Sequence, residues 1–281
     1  MINQAADRCV QISFYHWGEP LLNKDLCAAC RYAADRGLWT TVHSNLSLKI
    51  ESLAHRVVAA GLCNLVVSCD GATQEVYEKY RVGGNVDLVF ANMRAIVDEK
   101  RRVGSKFPWI TSKFLIFDHN WHEMELFRER SLEAGADEVL FAPAGMGGIY
   151  LTERAGTGSN FDLKKLDWVE TPPSEGRVCS EPWDHFVMDH DGATFPCCLP
   201  FRDEDLFVAL EEADRMSIME MWNHENFVRI REFFLGKPGY HKEGLPGACA
   251  TCSLPLAFES RQRAVHTCKP SPADPSADCH G

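Results

Sequence analysis

Cysteines give this 281-residue sequence its clearest potential for metal chemistry. Seven of the twelve cysteines follow residue 178, and none lies between residues 70 and 178. Cys179 and Cys197 come first, and the closely spaced pair Cys249 and Cys252 follows. Four thiolates from such segments can form a tetrahedral zinc site or hold an iron–sulfur cluster. The sequence therefore predicts a metal or cluster site in its C-terminal third, and spacing alone leaves both kinds open.

A second set of polar residues follows apolar segments in the first half of the chain. Its members are Glu19, Ser44, Asn45, Ser68, Asp70 and, after a short predicted helix, Arg81. Side chains at the carboxyl ends of parallel strands meet at one rim of the sheet, so we expect this set to converge there. Together the set suits a ligand with an amine, a ribose and a carboxylate. Each residue alone is also a common turn or helix-cap residue.

The elements that must position these residues alternate between strand and helix. Five apolar segments are predicted as buried strands: residues 10–15, 38–43, 64–69, 109–117 and 138–143. The segments between them have helical apolar spacing, at about residues 24–36, 49–60, 86–103 and 121–134. Gly37, Gly61 and Gly135 follow three of these helices, where a glycine C-cap is expected. This alternation predicts a parallel sheet with right-handed crossovers.

The remaining chain is predicted to form three further segments. Residues 144–178 are rich in turn residues and are predicted as a linker or bridge. Residues 179–268 form a cysteine-rich region with a β-hairpin over 187–198, turning at Asp191-Gly192, and a helix over 227–237. The tail, residues 269–281, has the composition of a disordered segment.

Composition narrows the range of partners. The formal net charge is −11, which argues against a nucleic-acid partner. The sequence contains no run of 18 apolar residues and no secretory signal pattern, so we expect a cytoplasmic protein without membrane spans. Thiols stay reduced in the cytosol, which favours metal or cluster ligation over disulfides.

Four motifs resemble the radical SAM enzyme family, in particular members with a C-terminal SPASM or twitch extension. They are WGEPLL, SNLS, VSCDGATQEVYEKYRVGG and the cysteine region, and the resemblance covers residues 10–268. It implies an α/β fold, a partial parallel (β/α) barrel of about five of six strands followed by a small cysteine-rich domain. It also implies enzymes that cleave S-adenosylmethionine to a 5′-deoxyadenosyl radical. Their substrates are peptides, proteins or small molecules, and a ferredoxin or flavodoxin supplies the electron.

The same resemblance implies a role for each polar residue at the rim. Gly18 and Glu19 would hold the amino group of S-adenosylmethionine, and Arg81 would face its carboxylate, where a guanidinium can bind bidentately. The residues implied to lie near the same ligand are Ser44, Asn45, Ser68 and Asp70.

The cysteine region resembles the SPASM pattern C-x(9–15)-G-x4-C. Cys179, Gly192 and Cys197 fit it, which favours Cys197 over Cys198. The pattern's later cysteines are absent, since residue 258 is phenylalanine. The resemblance therefore implies the shorter twitch form, with one auxiliary [4Fe–4S] cluster on Cys179, Cys197, Cys249 and Cys252.

The family's initiating motif, C-x3-C-x2-C, does not occur in this sequence. Earlier cysteines offer no substitute, and Cys27 and Cys30 are predicted as buried thiols on an apolar helix face. We therefore expect an N-terminally truncated radical SAM protein that does not cleave S-adenosylmethionine as given. The alternatives are a non-catalytic [4Fe–4S] protein for electron relay or partner binding, and a zinc-stabilised binding module.

Overall fold

The structure is a computed structural model, and it describes residues 1–144, 179, 181–197, 208, 210–236, 245 and 249. The chain divides into two compact units, Met1–Val169 and Glu170–Gly281. The division falls within the predicted linker. Residues 145–178 and the predicted tail lie outside the described residues, so the domain boundaries stay predictions.

The first unit contains a five-stranded parallel sheet in the order β1-β2-β3-β4-β5. The strands are β1 Gln11–Ser13, β2 Trp39–Ser44, β3 Asn64–Ser68, β4 Trp109–Ile116 and β5 Glu138–Pro143. The helices are α1 Ile2–Ala6, α2 Leu26–Ala34, α3 Leu53–Ala59, α4 Gln74–Tyr80, α5 Val86–Val103 and α6 Met124–Glu133. Short 3₁₀ turns form at Pro20–Leu22 and Trp121–Glu123. The predicted α/β architecture with a partial parallel barrel is confirmed.

One face of the sheet carries the main hydrophobic core. Alternate strand residues point to opposite faces, and one alternating set, including Val42, Val67 and Phe114, is fully buried. Phe114 contacts Phe127 of α6, with ring centroids 4.8 Å apart. The helices therefore cover this face, which also holds the buried Ser44 and Ser112, and the other face carries His43 and Lys113.

Element ends follow from local signals. Gly37, Gly61 and Gly135 all have positive φ, as a glycine C-cap requires. The first strand is shorter than predicted, Gln11–Ser13 instead of residues 10–15. This strand pairs with β2 through only three residues, so its apolar sequence is longer than its hydrogen-bonded ladder.

The second unit contains a two-stranded antiparallel hairpin, β6 Val187–Met188 and β7 Thr194–Phe195. Gly192 has a φ of +94° in the turn, which confirms the predicted hairpin. The described helices are α7 Glu181–Asp184, α8 Leu210–Ala213, α9 Ile218–Trp222 and α10 Glu225–Phe234. No helix in the described parts of either unit is long and apolar enough to cross a membrane.

Candidate functional site

Glu19 joins the ends of the first two strands. One of its carboxylate oxygens, Oε1, accepts a hydrogen bond from the Leu21 N–H at 3.1 Å and caps the 3₁₀ turn. The other, Oε2, accepts from the Asn45 N–H at 2.8 Å. Each carboxylate oxygen has a second lone pair, and Glu19 is only half-buried. Glu19 is therefore a cap that can also accept a hydrogen bond from an amine.

Gly18, just before this carboxylate, has a φ of +77°. A Cβ placed there would meet no atom within 4 Å. The backbone conformation, and not crowding, is therefore what favours glycine at this position.

Ser44 and Asn45 stabilise the turn after β2. The buried Ser44 hydroxyl accepts a hydrogen bond from the Leu46 N–H at 2.9 Å. The Asn45 Oδ1 accepts from the Ser47 N–H at 2.9 Å. These short-range bonds fix the backbone, so the contact between Asn45 and Glu19 is made by the main chain. The structure thus brings Glu19 and Asn45, both predicted from the sequence, into direct contact.

Asp70 and Arg81 form a second, tightly bonded pair. Both Nε and Nη2 of Arg81 lie 2.6 Å from Oδ2 of Asp70, and Asp70 is fully buried. The other oxygen, Oδ1, accepts from the Leu115 N–H at 2.7 Å, which ties β3 to β4. The donor pair of Arg81 that could bind a ligand carboxylate bidentately therefore faces Asp70. The ligand roles of both residues stay predictions.

Two residues that the sequence analysis missed hold this region in place. Asn120 donates to the backbone carbonyls of Asp70 at 3.0 Å and Leu115 at 2.8 Å. Glu123 accepts from the N–H groups of Ala72 at 2.7 Å and Thr73 at 3.1 Å. Asp70 and Ala72 lie about 50 residues from Asn120 and Glu123 along the chain, so no local spacing pattern indicates these contacts.

The opposite face of the sheet from the main core carries an aromatic and basic group. The rings of Tyr15 and His43 stack with centroids 3.6 Å apart and planes 10° apart. Burial, assisted by the positive charge of Lys113, lowers the pKa of His43 to about 4. Ser68 and Lys113 are direct neighbours in the β3–β4 register, and both are half-buried. His43 is therefore neutral near pH 7 and acts as a hydrogen-bonding group without charge.

We expect NMR titration of the imidazole signals to give His43 a pKa near 4. His190 is an internal control with the opposite shift, because a hydrogen bond to the Asp189 carboxylate raises its pKa. The Lys113→Met substitution should raise the pKa of His43, yet leave it below the usual value because burial is the larger cause. A His43 pKa at or above that of His190 would contradict this assignment.

In the second unit, two predicted cysteine ligands pack on one small apolar cluster. The cluster consists of Phe227, Ile230, Phe234 and Leu245, and Cys179 and Cys249 both contact it. Cys197 is half-buried, two residues after the end of β7. The structure thus brings Cys179 and Cys249 to one cluster although 70 residues separate them. Cys252 and the alternative ligand Cys198 lie outside the described residues.

The cysteines of the first unit have a different environment. Cys30 is almost fully buried, and this burial, together with the neighbouring thiols of Cys27 and Cys63, raises its pKa to about 12. A thiol with such a pKa is protonated at neutral pH and is a poor ligand or nucleophile. The predicted inert role of Cys30 is consistent with this environment.

Comparison with known proteins gives one family match and two partial relatives. A SPASM family model, described as an iron-sulfur cluster-binding domain, matches residues 179–253. The AdoMet-dependent heme synthase of Methanosarcina barkeri is 36% identical over 64 residues, 23% of this chain and 18% of that protein. The probable GTP 3′,8-cyclase of Methanocaldococcus jannaschii is 31% identical over 81 residues, 29% of this chain and 27% of that protein. The matched segments thus span less than a third of either curated relative.

Solved structures show the same fold. Streptococcus suis SuiB bound to S-adenosylmethionine superposes with a TM-score of 0.59 at 15% identity, covering 83% of this chain and 59% of SuiB. The anSMEcpe structure with bound AdoMet gives a TM-score of 0.52 at 13% identity, covering 80% of this chain and 67% of that protein. The SPASM match over residues 179–253, the two partially covered relatives and the shared fold together support a radical SAM/SPASM protein.

Proposed function

We propose that this chain binds S-adenosylmethionine at the carboxyl ends of β1 to β3 and one [4Fe–4S] cluster in its second unit. In this proposal it works in a radical enzyme that modifies a peptide, a protein or a small molecule, with an electron from a ferredoxin- or flavodoxin-type reductant. The observation that carries the proposal is the Glu19 carboxylate, held by two backbone N–H groups at the rim.

The rim fits the amino acid part of S-adenosylmethionine. Glu19 offers a negative charge and unused lone pairs to an ammonium group, and such charge-assisted hydrogen bonds are the strong ones. The backbone at Gly18 is exposed, so a ligand can approach the chain there. Support also comes from the relatives, since SuiB and anSMEcpe were both solved with S-adenosylmethionine bound. We assign Gly18, Glu19, Ser44, Asn45, Ser68, Asp70 and Arg81 to this site.

The second unit fits an iron–sulfur cluster by the chemistry of its donors. Cys179 and Cys249 contact aromatic and aliphatic side chains. Cys197 is half-buried and follows β7 by two residues. Such a shell restricts water, which is one way in which proteins set the potential of a cluster. We assign Cys179, Cys197, Cys249 and Cys252 as ligands, within a domain spanning 179–268. When bound, the cluster would supply one-electron chemistry.

The Glu19→Gln substitution tests the amine-binding role. Glutamine keeps the size and one acceptor oxygen but removes the charge, and a hydrogen bond to a charged group contributes about 1.5–3 kcal/mol. We therefore expect the affinity for S-adenosylmethionine to fall by about tenfold or more. Equilibrium dialysis with radiolabelled S-adenosylmethionine measures this directly. Glu75→Gln, on the exposed side of α4, is the matched control and should leave the affinity unchanged. Equal affinities for the two variants would refute the role of Glu19.

A further inference from the structure

The polar face of the sheet carries two side-chain hydrogen-bond networks. Its residues, one or two from each strand, are Gln11, Ser13, Thr41, Asn64, Thr111 and Glu138. Gln11 Nε2 donates to Ser13 Oγ at 3.1 Å and lies 3.4 Å from Thr41 Oγ1. Thr111 Oγ1 donates to Glu138 Oε2 at 3.0 Å and lies 3.4 Å from Asn64 Oδ1. Parallel sheets are ordinarily apolar on both faces, so a polar face of this kind indicates contact with water or a polar ligand.

Lys113 lies on this face, two residues beyond Thr111 along β4. Its neighbours in the register are Ser68 on β3 and Leu140 on β5. Ser112 and Phe114, the residues on either side of it, are buried on the core face. The lysine is thus placed in the middle of the sheet, near the strand ends that form the rim.

The charge of Lys113 has no acidic counterpart in the part of the chain that the structure describes. No carboxylate among those residues lies within 4.0 Å of its ammonium group. The buried Lys100 provides the contrast, because its ammonium group lies 3.2 Å from Asp137. Two titratable groups share this face with Lys113: His43, which is neutral near pH 7, and Glu138, whose Oε2 accepts a hydrogen bond from Thr111 Oγ1 at 3.0 Å. Lys113 is half-buried, so its ammonium group stays accessible from this face and can form a charge-assisted hydrogen bond to an anionic ligand.

We propose that Lys113 binds an anionic group of the substrate, of the carboxylate class, on the polar face beside Ser68 and the stacked Tyr15–His43 pair. This inference rests on the proposed function, because it assumes that S-adenosylmethionine occupies the rim and that a second ligand lies next to it. Neutral His43 and the Ser68 hydroxyl can each add a hydrogen bond to the same oxyanion. The substrate would then be oriented by a fixed charge on a rigid strand.

Lysine footprinting of the full chain tests this inference without a variant. The chain is labelled with an amine-reactive acetylating ester, and the labelled fraction of each lysine is read by mass spectrometry. The probe is succinate, and sodium chloride at the same ionic strength is the reference. At succinate tenfold above its dissociation constant, labelling of Lys113 should slow by about tenfold. Lys106, which is exposed, is the matched control and should be labelled at an unchanged rate.

A parallel arm distinguishes the source of the anion. Under the proposal, S-adenosylmethionine alone leaves the labelling of Lys113 within about twofold of the free protein. Protection by S-adenosylmethionine but not by its decarboxylated analogue would show that the cofactor's own carboxylate is the partner, and would overturn the substrate assignment. Equal slowing of Lys113 and Lys106 by succinate would overturn it as well. Equilibrium dialysis reports S-adenosylmethionine binding separately, so a failure of the proposed function is not confused with a failure here.

Discussion

Replacing Cys249 with alanine should remove the iron–sulfur cluster from the second unit. After anaerobic reconstitution, the unsubstituted chain should hold about four iron atoms and about four acid-labile sulfides, as a [4Fe–4S] cluster requires. Cys249→Ala should lower both to less than about one per chain, because it removes one of the four assigned thiolates and leaves one iron without its protein ligand. Iron and sulfide analysis, with the visible absorption spectrum, measures the loss.

The controls for this experiment come from the same chain. Cys9→Ala changes an exposed cysteine of the first unit and should leave the iron and sulfide content unchanged. Cys197→Ala should behave like Cys249→Ala, whereas Cys198→Ala should retain the cluster if the C-x(9–15)-G-x4-C pattern identifies the ligand. Zinc bound without acid-labile sulfide would instead show a structural zinc site. A full cluster content in Cys249→Ala would contradict the ligand assignment.

Loss of the iron–sulfur cluster should also destabilise the group of apolar side chains on which Cys179 and Cys249 pack. A metal centre that forms only in the folded state adds its binding free energy to folding. Phe227 and Ile230 of α10 contact that site from one side. Amide hydrogen exchange in α10 should therefore speed up in Cys249→Ala, while exchange in the β3–β4 region of the first unit stays unchanged.

Sequence signals predict those parts of the fold that depend on local contacts. The helix over 86–103 has the predicted bounds because Asn85 and Gly104 cap it. The Asn85 Oδ1 accepts from the Leu88 N–H at 2.8 Å, and Gly104 has a φ of +67°. Glycine C-caps and the hairpin turn at Gly192 were predictable for the same reason. Each depends on residues within four positions along the chain.

The candidate site is less predictable, because its partners come from distant segments. The sequence motifs predicted that Asp70 and Arg81 both contact a ligand, whereas in the structure they form an ion pair with each other. Asn120 and Glu123 carried no motif, and their role follows only from the fold. Lys113 is visible in the sequence as a single lysine within the apolar strand WITSKFLIF. Its assignment to an anionic ligand also requires that no acidic side chain pairs with it among the described residues, which only the fold shows.

The Asp70→Asn substitution should cost about 3 kcal/mol of stability in the first unit. It leaves the Arg81 side chain, which is 26% exposed, without its countercharge. It also weakens the acceptor of the Leu115 N–H, which joins β3 to β4 through Oδ1. Breaking a buried ion pair by removing one partner is costly because the remaining charge stays desolvated. The shape of the side chain is nearly unchanged, so the loss reports charge and hydrogen bonding and not a cavity.

The matched control is an exposed pair of the same chemistry. Arg101 Nη1 lies 3.3 Å from Asp98 Oδ1, and both side chains are more than 70% exposed. Asp98→Asn should therefore change stability by less than about 0.5 kcal/mol. Urea unfolding combined with hydrogen exchange at the Leu115 amide measures both variants within the first unit. Equal, small changes for the two substitutions would show that the Asp70–Arg81 pair is solvated. A loss of S-adenosylmethionine affinity in Asp70→Asn without a loss of stability would instead mean that Asp70 contacts the ligand itself.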